Sequence, residues 1–338
     1  IKVGAELGIV LLLFFLGLEF NLERLIANKD RMGKSGVLDL VVNFGAGFVL
    51  GFLVFQDLIP ALLIAGIVYI SSSAVITKTL LDLGWIANPE SGPLLGTLVF
   101  EDIVIAVYLV IVSALVIGGG SIATIAQSIG LAIGFIVLLL LLVYFGTVIF
   151  EYLVQTNFSE FFVLRILGIT VLIAGAALVV GVSEAVAAFF VGMAFSSTSR
   201  VHDIEEAISP IRDVFAAVFF FWIGLVTDPL LFIRALDLIA VAVLVTLPTK
   251  LFTGFYGGRI YNLNNRRSLR VGLAMVTRGE FSLIIGAIAL TSVGMTLNET
   301  TAQTIYSFAV GYVLVMSILG TVLMQTSGFF ESYIEPVL

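Results

Sequence analysis

Two adjacent carboxylates lie in the middle of an apolar stretch of this chain. Glu101 and Asp102 sit between Gly92 and Val116, a run of about 25 residues that can cross a hydrocarbon core roughly 30 Å thick as a tilted helix. An ionised carboxylate at that depth costs at least about 2.5 kcal/mol, so such residues normally face a protein interior or a wet cavity. The pair therefore predicts a site for protons, cations or countercharges. A buried ion pair that only joins helices is the structural alternative.

The composition places the chain among helical membrane proteins. Hydrophobic residues make up 60% of it and charged residues 12%, and apolar windows of about 18 residues or more recur along it. The absence of cysteine excludes disulfides and thiolate metal sites, and a single histidine, His202, excludes a histidine-rich metal site. We interpret His202 as a solvated loop residue rather than a pH sensor. Residue 1 lies directly in an apolar segment, so we expect no signal peptide and further sequence upstream.

The apolar segments predict an all-α polytopic membrane protein with one compact transmembrane domain over 1–338. Eleven segments are separated by short connections. They are 3–20, 35–55, 58–82, 92–117, 122–154, 158–181, 184–197, 207–227, 230–262, 267–293 and 300–327. The seventh is too short to span a bilayer upright, so we expect its neighbours to bury it.

The distribution of Lys and Arg predicts the orientation. If the first segment ends in the cytoplasm, the odd-numbered connections hold most of the basic residues, and the opposite side keeps little beyond Lys2 and Arg234. The cytoplasmic set is Arg24, Lys29, Arg31, Lys34, Lys78, Arg200, Arg259, Arg266, Arg267 and Arg270. This asymmetry predicts a multi-pass protein of the cell membrane with a cytoplasmic C-terminus. Because topology explains the basic residues and the net charge is −7, no nucleic-acid partner is expected.

A weak internal repeat is visible at an offset of 207 residues (218 minus 11). The stretch that starts at Leu11 resembles the one that starts at Val218, and the same offset carries Ser71-Ser72-Ser73 onto Arg278-Gly279-Glu280. Matching segments are seven spans apart, so the two halves would insert in opposite orientations, as in many secondary transporters. The sequence therefore predicts inverted repeats at about 1–117 and 207–327, joined by connecting helices over 122–197.

The polar clusters at the two matched positions predict interrupted helices. Hydroxyls of Ser71, Ser72, Ser73 and Thr77 can satisfy backbone groups that a break would expose to lipid. In the second cluster Gly279 permits a break, while Arg278 and Glu280 can answer the partial charges of the exposed helix ends. We expect these two charges to pair with each other and hold the second break together. Crossed breaks would create a polar centre beside the two carboxylates. The structural alternative is that the serines bond back to carbonyls within continuous helices.

A lysine lies near the middle of the ninth segment. Lys250 is too far from either surface to snorkel easily, so it must pair with an acid or lose its proton. We expect one of the two carboxylates to pair with it, at roughly 4 kcal/mol for a separation of about 4 Å and an effective dielectric of about 20. The other carboxylate would be free for a transported ion. Sodium and potassium take the oxygen ligands available here, whereas a soft metal lacks its ligands.

These residues resemble the membrane domain of Kef-type potassium efflux antiporters and related sodium/proton exchangers, in the second branch of the monovalent cation:proton antiporter superfamily. The resemblance runs nearly end to end and is carried by Gly17-Leu18-Glu19, the serine-rich break, Phe100-Glu101-Asp102, the run from Ala187 to Gly192, His202 to Glu205, Phe219 to Gly224, and Arg278 to Leu283.

The resemblance implies a fold of thirteen helices with two crossed broken helices in a mobile core, and a scaffold that forms a homodimer. This chain would then lack the first two helices. It also implies that Asp102 binds cation or proton alternately while Lys250 pairs with Glu101. Kef proteins usually carry Gln-Asp where this chain has Glu101-Asp102, whereas electrogenic sodium/proton relatives carry two acids. Kef proteins also continue into a cytoplasmic nucleotide-binding regulatory domain.

We therefore predict a secondary transporter, not an enzyme, that exchanges potassium or sodium for protons by alternating access within the lipid bilayer. The predicted ion- and proton-binding residues are Asp102, Glu101, Ser71, Ser72, Ser73 and Thr77, and the predicted charge-compensating residues are Lys250, Arg278 and Glu280. Asp102 is the predicted cation ligand, and no resident cofactor is expected. A gated cation channel and a non-transporting membrane sensor are the alternatives. Two acids favour electrogenic exchange slightly over one-for-one exchange.

Overall fold

A computed structural model describes residues 1–19, 28–85, 87–116, 122–145, 147–156, 159–179, 184–226, 233 and 235–334. Arg24 and Arg234, which enter the predicted orientation, lie outside these residues. Throughout the described ranges the regular structure is helical, and the one β-type contact is an isolated bridge between Val293 and Leu297. This confirms the predicted all-α class.

The described helices follow the predicted segments in order, and each of the eleven segments overlaps with at least one of them. The helices are α1 (Lys2–Glu19), α2 (Lys29–Asp39), α3 (Gly45–Phe55), α4 (Leu58–Tyr69), α5 (Ser73–Asp82), α6 (Ser91–Val116), α7 (Ile122–Phe145), α8 (Thr147–Val154), α9 (Ser159–Val179), α10 (Glu184–Phe195), α11 (Val201–Val226), α12 (Leu236–Ile260), α13 (Asn265–Ala274), α14 (Glu280–Thr291), α15 (Glu299–Gln325) and α16 (Ser327–Ile334).

Six described stretches are long and apolar enough to cross a membrane. They are Lys29–Phe55, Leu58–Leu80, Ser91–Leu109, Glu160–Val179, Leu236–Ile260 and Glu299–Gln325. Each of these stretches is at least 19 residues long, which matches the roughly 20 residues that a helical span needs. The length and apolar character of these helices are those of a multi-pass membrane protein.

The chain forms two compact units. The first contains Ile1–Ala27 and Ser121–Thr227, and the second contains Asn28–Gly120 and Asp228–Leu338. All of the candidate site residues predicted above belong to the second unit. The repeat boundaries proposed from the sequence stay a prediction.

In the first unit, glycines let α1 pack closely against α10. A Cβ on Gly192 would lie 1.9 Å from the Phe14 carbonyl oxygen, and one on Gly17 would lie 2.0 Å from the Phe189 carbonyl oxygen. Any larger residue would force the two backbones apart. Packing therefore accounts for the glycines in two of the motifs that carry the family resemblance.

In the second unit, two helices are interrupted and the interruptions meet. Helix α4 ends at Tyr69 and α5 begins at Ser73, while α13 ends at Ala274 and α14 begins at Glu280. The Ser72 N–H donates to the Thr277 carbonyl at 3.2 Å, so the two breaks are joined by a backbone hydrogen bond. A Cβ on Gly279 would lie 2.4 Å from Ser72 Oγ, so this approach requires glycine. The predicted crossed breaks are therefore confirmed.

A π-helical segment, Leu40–Phe44, joins α2 to α3 within one long span. Asp39 is the last residue of α2, and Asn43 lies inside the π segment; both are buried. Single turns of π-helix inside α-helices occur frequently at functional sites. The span is therefore locally altered where it carries polar side chains.

Candidate ion-binding site

Helix α6 carries the two adjacent carboxylates into the interior of the second unit. Glu101 is fully buried and Asp102 is 4% exposed. A Cβ on Gly36 of α2 would lie 2.1 Å from the Phe100 ring, so glycine allows α2 to approach α6 immediately before the acid pair. Small residues at such a crossing fix the depth and direction of the carboxylates.

Glu101 is held by the lysine and by the first helix break. Lys250 Nζ lies 2.6 Å from Glu101 Oε1, and both side chains are fully buried. The Ser71 N–H donates to Oε2 at 2.7 Å and its hydroxyl to Oε1 at 3.0 Å. Lys250 and Ser71 thus donate three hydrogen bonds to the two oxygens of Glu101.

A third acid, Asp39, completes the lysine's surroundings. Lys250 Nζ donates to Asp39 Oδ2 at 2.8 Å. The other oxygen, Oδ1, accepts from Thr253 Oγ1 at 2.7 Å and from Asn43 Nδ2 at 2.9 Å. We call Asp39, Ser71, Glu101 and Lys250 the paired cluster, because each of these side chains is hydrogen-bonded within it.

Sequence reasoning missed Asp39, Asn43 and Thr253. The available signal was an acid and an amide four residues apart in the apolar segment 35–55, which places both on one helix face. Thr253 stands three residues after Lys250 and gave no signal of its own, since threonine is common in membrane helices.

Asp102 carries a buried oxygen that lacks a hydrogen-bond partner. Within the described ranges, Asp102 Oδ2, Ser73 Oγ, Thr77 Oγ1 and Glu280 Oε1 are buried and accept or donate no hydrogen bond. Asp102 also experiences the charges of both Glu101 and Glu280. We use the term open cluster for Asp102, Ser73, Thr77 and Glu280, which lie on α6 and on the two helices that begin at the breaks. Buried oxygens without a partner are costly unless a ligand or ion satisfies them.

The four hydroxyl residues of the first break therefore have three different roles. Ser71 lies in the paired cluster, whereas Ser73 and Thr77 lie in the open cluster. Ser72 Oγ accepts from the Val75 N–H at 3.2 Å and so caps the start of α5. The structure thus places Ser71 against Glu101 and Ser72 at the start of a helix. Their role as ion ligands stays a prediction.

Arg278 does not pair with Glu280, and this corrects the expectation that the two charges hold the second break together. The guanidinium donates instead to the carbonyl oxygens of Val68, Met275, Val276 and Thr277 at 3.1, 3.0, 3.0 and 2.9 Å. It therefore compensates the exposed carbonyl ends of both broken helices. Glu280 is therefore not neutralised by Arg278 and belongs to the open cluster.

A second set of charges lies at the predicted cytoplasmic side. Arg270 contacts Glu90 at 2.7 Å and Glu331 at 2.6 Å, and Arg266 also donates to Glu331. Although burial raises the pKa of Glu331, hydrogen bonds from Arg270 and Arg266 outweigh it and hold that pKa below its usual range. The contacts tie α16 to α13, which precedes the second break.

His202 lies in the first turn of α11 rather than in a loop. Its side chain is 87% exposed, and its Nδ1 is 3.7 Å from a Glu205 oxygen. The interpretation as a solvated residue fits this position, since a surface pair of this kind contributes little.

Comparisons with known proteins give one consistent result. The sequence profile of the transmembrane sodium/hydrogen exchanger family matches residues 1–326. The K(+)/H(+) antiporter subunit KhtU of Bacillus subtilis is 34% identical over 328 residues, which cover 97% of this chain and 79% of that protein. The ammonium/H(+) antiporter subunit AmhT of Alkalihalophilus pseudofirmus is 30% identical over 334 residues, or 95% of this chain and 80% of that protein.

A solved structure shares the fold. The sodium proton antiporter MjNhaP1 from Methanocaldococcus jannaschii, determined at pH 8, superposes with a TM-score of 0.73 at 16% sequence identity. The match covers 97% of this chain and 85% of that chain. At this identity the likeness bears on the architecture.

Proposed function

This chain belongs to the transmembrane sodium/hydrogen exchanger family and is a monovalent cation:proton antiporter domain, and we propose that Asp102 carries cation and proton in turn. The observation behind this assignment is the contrast between two neighbouring acids. Glu101 is neutralised by Lys250, whereas Asp102 has a buried oxygen without a partner among the described residues. A carboxylate in that state needs a proton or a cation.

The open cluster supplies ligands suited to a hard monovalent cation. Ser73 and Thr77 offer hydroxyl oxygens, and Glu280 offers a second carboxylate oxygen. Alkali cations take such oxygen ligands, while the interrupted helices contribute partial charges at their ends. We infer that Asp102 with these three side chains forms the cation site.

Competition at one carboxylate couples the two fluxes. When a cation occupies Asp102 it neutralises the charge that a proton would otherwise neutralise, so the two species exclude each other. An empty, ionised Asp102 would cross the hydrophobic interior at a cost of several kcal/mol, because its charge is then uncompensated. Only loaded forms should therefore change access from one side to the other. This is the condition for obligatory exchange rather than leak.

The cargo we propose is potassium or sodium, exchanged by alternating access. Both ions take the same oxygen ligands, and the relatives include antiporters named for potassium and for ammonium. An assay should therefore offer each of the three cations in turn.

We further propose that the protein is a homodimer in the cell membrane with a cytoplasmic C-terminus. The orientation is supported by the basic residues on one side, among them Arg266 and Arg270 beside α16. The dimer is supported by the family resemblance. Cross-linking in the membrane and accessibility of a cysteine placed in α16 would test the two assignments separately.

The test of the carrier assignment is Asp102→Asn in proteoliposomes with a pH-sensitive dye inside. Asparagine keeps the volume but cannot bind a proton or provide a charge, so cation-driven proton flux should fall at least about 100-fold, to background. The matched control is Asp57→Asn, the same change at an exposed residue that caps α4 through the Ile59 N–H. Asparagine is an equally good cap, so this control should exchange normally. Wild-type exchange by Asp102→Asn would rule out Asp102 as the carrier.

A further inference from the structure

Asp39 is buried in the second unit and accepts hydrogen bonds from three side chains. Its side chain is 1% exposed, and its two oxygens accept from Lys250, Thr253 and Asn43. The three donors are an ammonium, a hydroxyl and an amide group, each of which suits a carboxyl oxygen.

Lys250 is saturated by the same arrangement. An ammonium has three hydrogens to donate, and Lys250 Nζ has three oxygen partners: Glu101 at 2.6 Å, Asp39 at 2.8 Å and Ser71 Oγ at 3.1 Å. The Tyr69 ring lies 5.3 Å away, at cation–π distance. Two acidic side chains thus contact one basic side chain, and all three donor positions of the ammonium are used.

The two countercharges differ in what holds them. The other partner of Glu101 is Ser71, which lies in the first break, so any rearrangement of the breaks changes its bonds. Asp39 is bonded to Asn43 on its own span and to Thr253 on α12, which is continuous from Leu236 to Ile260. Asp39 therefore fixes Lys250 to helices that do not depend on the breaks.

We propose that Asp39 is a third acid of the ion site and acts as a positioning residue. As the second countercharge of Lys250 it holds the ammonium in place, and it adds negative charge that favours a cation at Asp102. This role rests on the proposed function, since it concerns the same site. With Asp39, Glu101 and Asp102 ionised and Lys250 charged, the four groups sum to −2, and one bound cation leaves −1. Without Asp39 the same sum is −1 before binding and zero after it.

A double-variant comparison tests the countercharge role by thermal stability in detergent, without transport. Lys250→Met leaves two buried carboxylates facing each other and should lower the midpoint temperature strongly. Adding Asp39→Asn or Glu101→Gln removes one of those charges. If both acids are countercharges, each double variant should recover a clear part of the loss. Recovery with Glu101→Gln but not with Asp39→Asn would overturn the proposal.

The transport test measures the cation KM of Asp39→Asn at alkaline pH, where protons compete least. Loss of one nearby negative charge should raise KM roughly tenfold, with the maximal rate per folded protein within about twofold. A residue that merely supports the fold would lower the amount of active protein and leave KM unchanged, so an unchanged KM would overturn the proposal. Asp57→Asn is the matched control and should match wild type in both quantities.

The outcomes separate this proposal from the function it deepens. If wild-type protein moved no protons against any cation, the carrier assignment would fail while the stability comparison still decided the partner of Lys250. If Asp39→Asn alone did not yield folded protein, the Lys250→Met double variants would decide whether Asp39 is a countercharge. Retained exchange with normal KM in Asp39→Asn would leave Asp102 as carrier and remove Asp39 from the site.

Discussion

The paired cluster and the open cluster meet at the adjacent acids Glu101 and Asp102 of α6, yet their polar atoms are satisfied in opposite ways. In the paired cluster Glu101 and Asp39 accept hydrogen bonds from Lys250, and Asp39 also accepts from Thr253. In the open cluster four buried oxygens have no hydrogen-bond partner within the described part of the chain. Satisfied buried charges rigidify a core, whereas unsatisfied ones indicate a position that something else must occupy. The contrast separates the framework of the site from its cargo position.

The two helix breaks repeat this contrast. At the first break Glu101 accepts from the Ser71 N–H and Arg278 donates to the Val68 carbonyl, whereas at the second break Arg278 donates to three carbonyls. Neither solution involves the open cluster. Backbone groups freed by the interruptions are therefore compensated without consuming the oxygens proposed for the cation.

The largest effect on stability should come from Arg278→Ala. The change leaves four buried carbonyls without their charged donor, and we expect a loss of about 3–5 kcal/mol, comparable to breaking a buried pair. The cation KM of the protein that still folds should change little, because Arg278 contacts neither cluster's carboxylates. Thermal denaturation in detergent measures the stability loss, and transport kinetics measure the cation KM. A stable variant with strongly altered cation affinity would instead place Arg278 at the ion.

The next effect concerns membrane potential. We expect the hydrogen bonds of the paired cluster to persist through the cycle, which leaves Asp102 as the exchanging group. The geometry therefore favours one-for-one, electroneutral exchange over the electrogenic stoichiometry that the two acids suggested in the sequence. A net charge crossing the membrane would feel about 2.3 kcal/mol per 100 mV. A valinomycin-imposed potential with sodium as substrate should leave the rate unchanged, and an accelerated rate would show that Glu101 or Lys250 also exchanges a proton.

A smaller effect distinguishes two neighbouring serines. Ser71→Ala removes hydrogen bonds to Glu101 and Lys250 and should cost about 1–3 kcal/mol of stability. Ser73→Ala removes a hydroxyl that has no partner in the described structure, so stability should stay within about 0.5 kcal/mol. The cation KM should respond in the opposite order, rising several-fold for Ser73→Ala. Equal stability losses for the two variants would contradict the assignment of Ser71 to the paired cluster and Ser73 to the open cluster.

The smallest effect is a dependence on acid pH at the cytoplasmic cluster. The pKa of Glu331 lies below its ordinary value of about 4.3, so its ionised form stabilises the fold above that pH. The stabilisation is lost as the pH falls through the lowered value. Because such pairs are partly solvated, we expect at most about 1 kcal/mol. Between pH 6 and pH 3 the free energy of unfolding should fall less steeply for Glu331→Gln than for wild type. Parallel curves would show that the contacts of Glu331 with Arg266 and Arg270 do not stabilise the fold.

Much of the architecture follows from local features of the sequence. Runs of apolar residues fix the helices through their length, and clusters of hydroxyls or an Arg-Gly-Glu triplet mark the breaks, because a helix in lipid cannot leave backbone groups bare. The pairing of Lys250 with an acid follows from the free-energy cost of an isolated charge in the middle of the membrane. Helix ends were less predictable; α11 begins at Val201 although the apolar pattern starts near 207.

The allocation of each polar side chain was decided only by the tertiary structure. Lys250 and Asp39 are 211 residues apart in sequence, and Lys250 and Glu101 are 149 apart. Composition and spacing show that such groups need partners, but the identity of the partner depends on which helix faces meet. That is why Asp39 was missed, why Arg278 was assigned to Glu280 instead of to carbonyls, and why Ser71 and Ser73 looked alike. The free-energy cost of burying an unpaired polar group can be read from the sequence. Which side chains meet is decided only when the helices pack together.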